Sequence, residues 1–248
     1  MHGNPVSAWL DAAGRFFNPK PQLQRVPLMP GHDAVVIDNA LANPEGVRDW
    51  AAGQAFGPPI GYPYPGHVCA VPEEMEYRIA DFFAQHLRQH LGARRTLDLV
   101  SRLSVIDTPP AQLAPVQWLC HRDRVADEGS GLLFAASVLY LFDDAALGGT
   151  SFYRPRESMA AAEVVVAASQ RLDAHEFASR YNLQPGYMAG SNAIFERTAQ
   201  VPAAWNRLIF YDGGQFHSAD VDPARLEADP MRGRLTLNSF ITCRKNAH

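Results

Sequence analysis

Cysteine is scarce in this 248-residue sequence: Cys69, Cys120 and Cys243 are far apart and form no CxxC pair. That excludes a disulfide framework and a zinc ribbon, and a reducing cytosol is the simplest setting. Positive charge is not in excess either. A formal net charge of −4 leaves no electrostatic footprint for nucleic acid, and the acidic residues are too scattered to make a disordered acidic tail. No apolar run approaches the length a bilayer span needs. The N-terminal stretch MHGNPVSAWLDAAGRFF has no basic start followed by an unbroken apolar segment, so it does not read as a signal peptide. These absences describe a soluble, cytoplasmic protein without a nucleic-acid or membrane partner. What is plentiful is apolar sequence, 47% of the residues, enough for a substantial core. Nineteen prolines and eighteen glycines favour short strands and turns over a helical bundle.

Along the chain, AVVID (34–38) reads as a buried strand, and 43–56 as a helix with Asn43 as N-cap and Pro44 in its first position. GPPIGYPYPGH (57–67) is a proline-aromatic loop, in which Tyr62 and Tyr64 offer flat, rigid contact area, either to a substrate or to the protein itself. Met75, Ile79, Phe82, Phe83, Leu87 and Leu91 recur at helical spacing over 73–91, and Gly92 ends that helix. The period then changes. Strands are predicted over 97–107, 132–144, the stretch after the GGT turn at 148–150, 191–198, 206–212 and 233–243. Residues 157–183 interrupt them with alanine-rich helical sequence, either a lid or a packed insertion. The expectation is a single α+β, mainly β domain over 1–248. In it, 1–96 forms a strand and helix support, and 97–243 is a β core that closes as a sandwich or barrel.

The segment WLCHRDR (118–124) carries the chemistry. In extended backbone, residues of equal parity share a face, so Gln117, Leu119, His121 and Asp123 point one way while Cys120, Arg122 and Arg124 point the other. His121 and Asp123 are thereby placed to chelate one ion. About one His-x-acid match is expected by chance in a chain with nine histidines and 26 acidic residues, so the pair needs company. His86 and His90 read as a helix face, His175 belongs to the helical insertion, and His2, His32 and His248 lie near ends or in loops. His217, after the strand NRLIFYD and a GGQ turn, can reach a barrel mouth or remain a turn residue. On the last strand Arg234, Thr236 and Asn238 share one face, opposite Leu235, Leu237, Ser239 and Ile241, and that face points either into the barrel or to water. A buried guanidinium needs an anion, and a carboxylate suits its two parallel donors. Two histidines and one carboxylate occupy one face of an octahedral iron(II), leaving room for a bidentate 2-oxo acid and O2.

The ordered set HRD (121–123), SVLYLFDD (137–144), GGTSFYR (148–154), FHSAD (216–220) and GRLTLNSF (233–240) resembles the iron(II)- and 2-oxoglutarate-dependent dioxygenases, most closely the prolyl-4-hydroxylase-like branch. AVVIDNALANPEGVRDW (34–50) is similar to the opening of such enzymes, and the resemblance spans about 34–243. It implies a double-stranded β-helix, or jelly roll, with N-terminal flanking helices. It further implies iron(II) held by His121, Asp123 and His217, and 2-oxoglutarate held by Arg234 with Thr236, while Tyr140 lines the pocket. Arg232 is the alternative anchor. The implied reaction consumes O2, releases succinate and CO2, and hydroxylates a small molecule or peptide side chain, with ascorbate as a supporting reductant. Halogenating relatives replace the carboxylate ligand, so retention of Asp123 favours hydroxylation. Two features depart from the pattern: a long acidic interval between His217 and Arg234, and the 157–183 insertion. The rival reading is a non-catalytic cupin-like jelly roll that binds a metal or ligand. Homo-oligomerisation is left open.

Overall fold

The computed structural model describes residues 6–127 and 129–246. His2 and His248 lie outside them. Among the described residues, ten strands make two antiparallel sheets. The larger is ordered β1 (Gln22–Met29), β2 (His32–Asp38), β8 (Leu208–Asp212), β5 (Leu132–Tyr140), β10 (Leu235–Lys245), β4 (Ala93–Ile106) and β3 (Gly66–Ala70). The smaller is β7 (Phe195–Val201), β6 (Thr150–Pro155) and β9 (Phe216–Ala219). The two-sheet arrangement is compatible with the expected jelly roll.

The larger sheet is covered by α1 (Pro44–Ala52) and α2 (Glu73–Phe82). Asn43 caps α1 by accepting a hydrogen bond from the Gly46 N–H, and Pro44 fills its first position, where no donor is lost. Trp50, Met75, Ile79 and Phe82 from these helices join Leu103, Val105, Leu235, Leu237 and Ile241 in one apolar cluster. The 73–91 helix is not uniform. After Phe82 the chain widens into a π turn (Phe83–Leu87), tightens into a 3-10 turn (Arg88–Leu91) and ends at Gly92 with φ 71°. Leu87 stays buried through the change of pitch, whereas Leu91 is only partly covered.

A second cluster fills the space between the sheets, with Val36, Tyr140, Phe152, Ile209 and Tyr211 at its centre. The insertion is helical as predicted: α3 (Met159–Ser169) and α4 (Ala174–Tyr181). It packs through Ala162, Val165 and Phe177 onto Trp118, Leu119, Cys120, Tyr153 and Phe216. Strand β1 had no counterpart in the sequence reading. It lies at the sheet edge, a position where proline is tolerated, and Pro27 sits beside a register shift in its pairing with β2.

All three cysteines are free thiols, and no helix among the described residues is long and apolar enough to cross a membrane.

Candidate metal centre and anion pocket

The segment carrying HRD is extended only at its end. Pro115 seeds a 3-10 turn over Pro115–Trp118, which removes Gln117 and Trp118 from the strand-like register the sequence suggested. At His121 the chain pairs with β9, and at Asp123 with the turn that precedes it. His121 N–H donates to the His217 carbonyl at 2.9 Å and His217 N–H donates back to the His121 carbonyl at 2.9 Å. Asp123 N–H donates to the Gly213 carbonyl, also at 2.9 Å. Backbone pairing, rather than side-chain affinity, is therefore what brings two histidines 96 positions apart in sequence into contact, with ring centroids 4.4 Å apart. Cys120 faces away into the cluster under the helical insertion.

His121 Nε2 lies 3.5 Å from Asp123 Oδ1, and His217 Nε2 lies 3.5 Å from Asp123 Oδ2. One ligand atom from each of the three residues falls within 4.8 Å of the others. Ligands about 2.1 Å from an ion at adjacent octahedral corners sit ~3 Å apart, so the two 3.5 Å pairs are already close to ligating geometry. The adjustment falls to His121, whose side chain is 55% exposed, against 6% for His217. The fit is supported by an orphan: Asp123 Oδ2 is buried with no hydrogen-bond partner, an arrangement that is costly unless something else satisfies the oxygen.

Protonation favours ligation as well. Burial pushes the Asp123 carboxyl up, but His217 and His121, with Arg102 farther off, outweigh it and hold the group below its ordinary range. Burial lowers His217 to about 4 despite the Asp123 carboxylate beside it. Its ring is therefore neutral at pH 7. Nδ1 lies 2.9 Å from the Gln215 carbonyl and must carry the proton, leaving the Nε2 lone pair facing Asp123.

The three residues stand at a cavity of about 600 Å³. Arg234 lies in its wall, 5% exposed. Its guanidinium donates through Nε to the Gly148 carbonyl at 3.1 Å and through Nη2 to the Gly149 carbonyl at 2.9 Å, and no carboxylate of the described residues pairs with it. Those two bonds aim the fork and leave it a net positive charge. Arg232 does not border the cavity: its side chain is 69% exposed and is bound to Glu227 and Asp229. Thr236 and Asn238 also line the cavity, with Thr236 Oγ1 3.2 Å from Ser104 Oγ. Tyr140 does not. Its hydroxyl bonds Thr150 Oγ1 at 2.8 Å, and its ring lies 5.8 Å from the Arg234 guanidinium, so it supports the arginine from behind.

The cavity wall also holds residues that the sequence does not mark as strongly. Tyr64 is one of them, with its hydroxyl buried near Ser104. Burial raises its pKa, and the Arg234 charge pulls the other way. Arg102, on β4 opposite Asn238 of β10, presents a second guanidinium. The parity argument that singled out Arg234 applies equally to Arg102 in LDLVSRLSVID and would have found it. The insertion also contributes Val166 and Gln170 to the wall, so it is both packed and part of the mouth. His86 packs on Phe82, His90 and His175 are exposed, and none of them borders the cavity.

A model of a family of unknown function, DUF6445, matches residues 19–241. No curated protein matches the sequence. Among solved structures, HygX from Streptomyces hygroscopicus with nickel and 2-oxoglutarate bound is 13% identical, over 85% of this chain and 82% of that one, with a TM-score of 0.47. The non-heme alpha ketoglutarate dependent epimerase SnoN from nogalamycin biosynthesis is 17% identical over 85% and 76%, with a TM-score of 0.45. The carbocyclase SnoK, of the same dependence and biosynthesis, is 18% identical over 87% and 81%, with a TM-score of 0.43. These overlaps are loose.

Proposed function

The chain belongs to the DUF6445 family, and we propose that it is an iron(II)- and 2-oxoglutarate-dependent dioxygenase that hydroxylates a small molecule or a peptide side chain. One observation carries this reading. A two-histidine, one-carboxylate set and a buried arginine with no carboxylate partner face the same cavity. A metal site alone would fit a cupin-like binding protein. A cationic anchor beside a three-ligand site fits a dianion that reaches from metal to arginine.

His121, Asp123 and His217 would hold the iron, with the Gln215 carbonyl fixing the His217 tautomer. When bound, the ion with 2-oxoglutarate and O2 supplies the oxidising chemistry, in which the co-substrate leaves as succinate and CO2. The chain's own part is binding and orientation. Arg234, held rigid by the Gly148 and Gly149 carbonyls, takes the far carboxylate, and the Tyr64 hydroxyl and Thr236 stand beside it as further donors. Ile106, Val116, Leu119, Val125 and Phe216 give the cavity apolar walls that limit water.

With iron(II), ascorbate and O2, the purified protein is expected to convert 2-oxoglutarate slowly to succinate even without a prime substrate. His121→Ala and Asp123→Ala should abolish that turnover. Arg234→Met should raise the apparent KM for 2-oxoglutarate by about tenfold to a hundredfold, the worth of a charge-assisted pair, and leave metal affinity within about twofold. Full turnover in His121→Ala or Asp123→Ala would remove those residues as ligands. An unchanged KM in Arg234→Met would move the anchor elsewhere.

A further inference from the structure

The cavity holds a second guanidinium for which the proposed chemistry has no use. The Arg102 guanidinium makes no ion pair and no hydrogen bond with any described residue, and its Nε is buried without a partner. Its carbon Cζ lies 4.0 Å from the Tyr62 ring centroid and 4.4 Å from that of Phe240. Aromatic rings against the flat of a guanidinium hold it in place and satisfy none of its in-plane N–H groups, because those donors point outward along the edge. The third arginine in the cavity wall, Arg122, differs: it is paired with Glu163 at 2.8 Å. Arg102 is thus a positioned, unused fork.

Charge balance says what it lacks. A divalent ion with the Asp123 carboxylate leaves one positive charge, and Arg234 adds another. The two carboxylates of 2-oxoglutarate match those two, and Arg102 is left over. Position agrees. Arg102 is paired in register with Asn238 of β10, four residues beyond Arg234, a backbone separation of about 13 Å at strand rise. It is set among Tyr62 and Phe240, with Ile106, Val116 and Val125 also in the cavity wall.

We propose that Arg102 is the anion clamp for the prime substrate, and that this substrate is a carboxylic acid with an apolar body. Resting on the dioxygenase reading, the assignment places the carboxylate on the Arg102 edge and the apolar body along the walls, where a C–H bond faces the ligand triad.

The test uses the full chain with zinc(II) in place of iron and saturating 2-oxoglutarate, and measures calorimetric binding of 3-phenylpropanoate and of its neutral analogue 3-phenylpropanamide. The acid is expected to bind the wild type at least about tenfold more tightly than the amide. Arg102→Met should erase that preference and Arg102→Lys should reduce it, while the 2-oxoglutarate Kd moves less than about twofold in both. Arg234→Met should do the converse. If Arg102→Met does not fold, as judged by thermal melting, Arg102→Lys and the acid-to-amide ratio of the wild type carry the result. Equal binding of acid and amide, or no binding of the acid, would overturn the clamp. So would a loss of 2-oxoglutarate affinity in Arg102→Met matching that in Arg234→Met, which would make Arg102 part of the co-substrate site. Should 2-oxoglutarate fail to bind any variant while the acid still depends on Arg102, the clamp stands and the dioxygenase reading falls.

Discussion

His217 shows most directly how this fold prepares a ligand. Burial keeps the ring neutral until about pH 4, whereas an unfolded histidine titrates near 6.5. Between those values the unfolded chain binds the extra proton, so the metal-free protein should lose stability as the pH is lowered through that window. The slope is up to about 1.4 kcal/mol per pH unit. Denaturant melts at stepped pH will show it, and His217→Asn should flatten the dependence; an equal slope in that variant contradicts the assignment. Gly148 offers a second test at this scale. Its φ is 91°, and a Cβ there would sit 1.4 Å from the Asp220 carbonyl oxygen, against backbone that cannot yield cheaply. Gly148→Ala should cost ~3 kcal/mol or more, and Arg234 should lose its aim because Gly148 supplies one of its two carbonyl partners. A variant within about 1 kcal/mol of wild type in urea unfolding would show that the turn is not fixed as described.

At the scale of elements, the smaller sheet and the helical insertion act together as the buttress of the metal centre. Strand β9 holds His217 toward the cavity, while Phe216 beside it joins Phe177 of α4 in the cluster under the insertion. That cluster also contains Leu119 and Cys120, which immediately precede the first ligand. Phe177→Ala should therefore cost about 3–5 kcal/mol, and it should also weaken metal binding although Phe177 is not a cavity residue. Isothermal titration with zinc(II) on folded protein separates the two effects. Unchanged affinity would mean that the insertion supports only itself. The arginine of HRD joins the same pair of elements, since Arg122 reaches Glu163 on α3 and lies 4.9 Å from the Phe216 ring.

For the molecule as a whole, what sequence reading captured follows a physical divide. Period-2 alternation in GRLTLNSFITC placed Arg234, Thr236 and Asn238 on the cavity side, and Leu235, Leu237 and Ile241 against the helices, as the structure has them. Such patterns are written locally, and so are the Asn43-Pro44 helix start and the alanine-rich insertion. Harder to read was whatever depends on partners distant in sequence. The pairing of His121 with His217 is an isolated bridge between β9 and a residue that belongs to no strand, and nothing near HRD announces it; chemistry and chain order, rather than periodicity, suggest His217. Tyr140 is placed at the pocket only by the family resemblance, as a residue of the strand after the first ligands, yet its ring turns into the inter-sheet cluster. The change of pitch after Phe82 left no mark in the apolar spacing, because Phe83 and Leu87 suit either pitch.

Dioxygenase activity requires that His121, Asp123 and His217 bind one ferrous ion that also chelates 2-oxoglutarate. Anaerobic titration of the purified protein with iron(II), then with 2-oxoglutarate, followed by visible absorption, tests this most directly. The expected result is a charge-transfer band that needs both additions, saturates at one iron per chain and disappears in Asp123→Ala. Tight iron binding with no band when 2-oxoglutarate is added, or an undiminished band in Asp123→Ala, would contradict it.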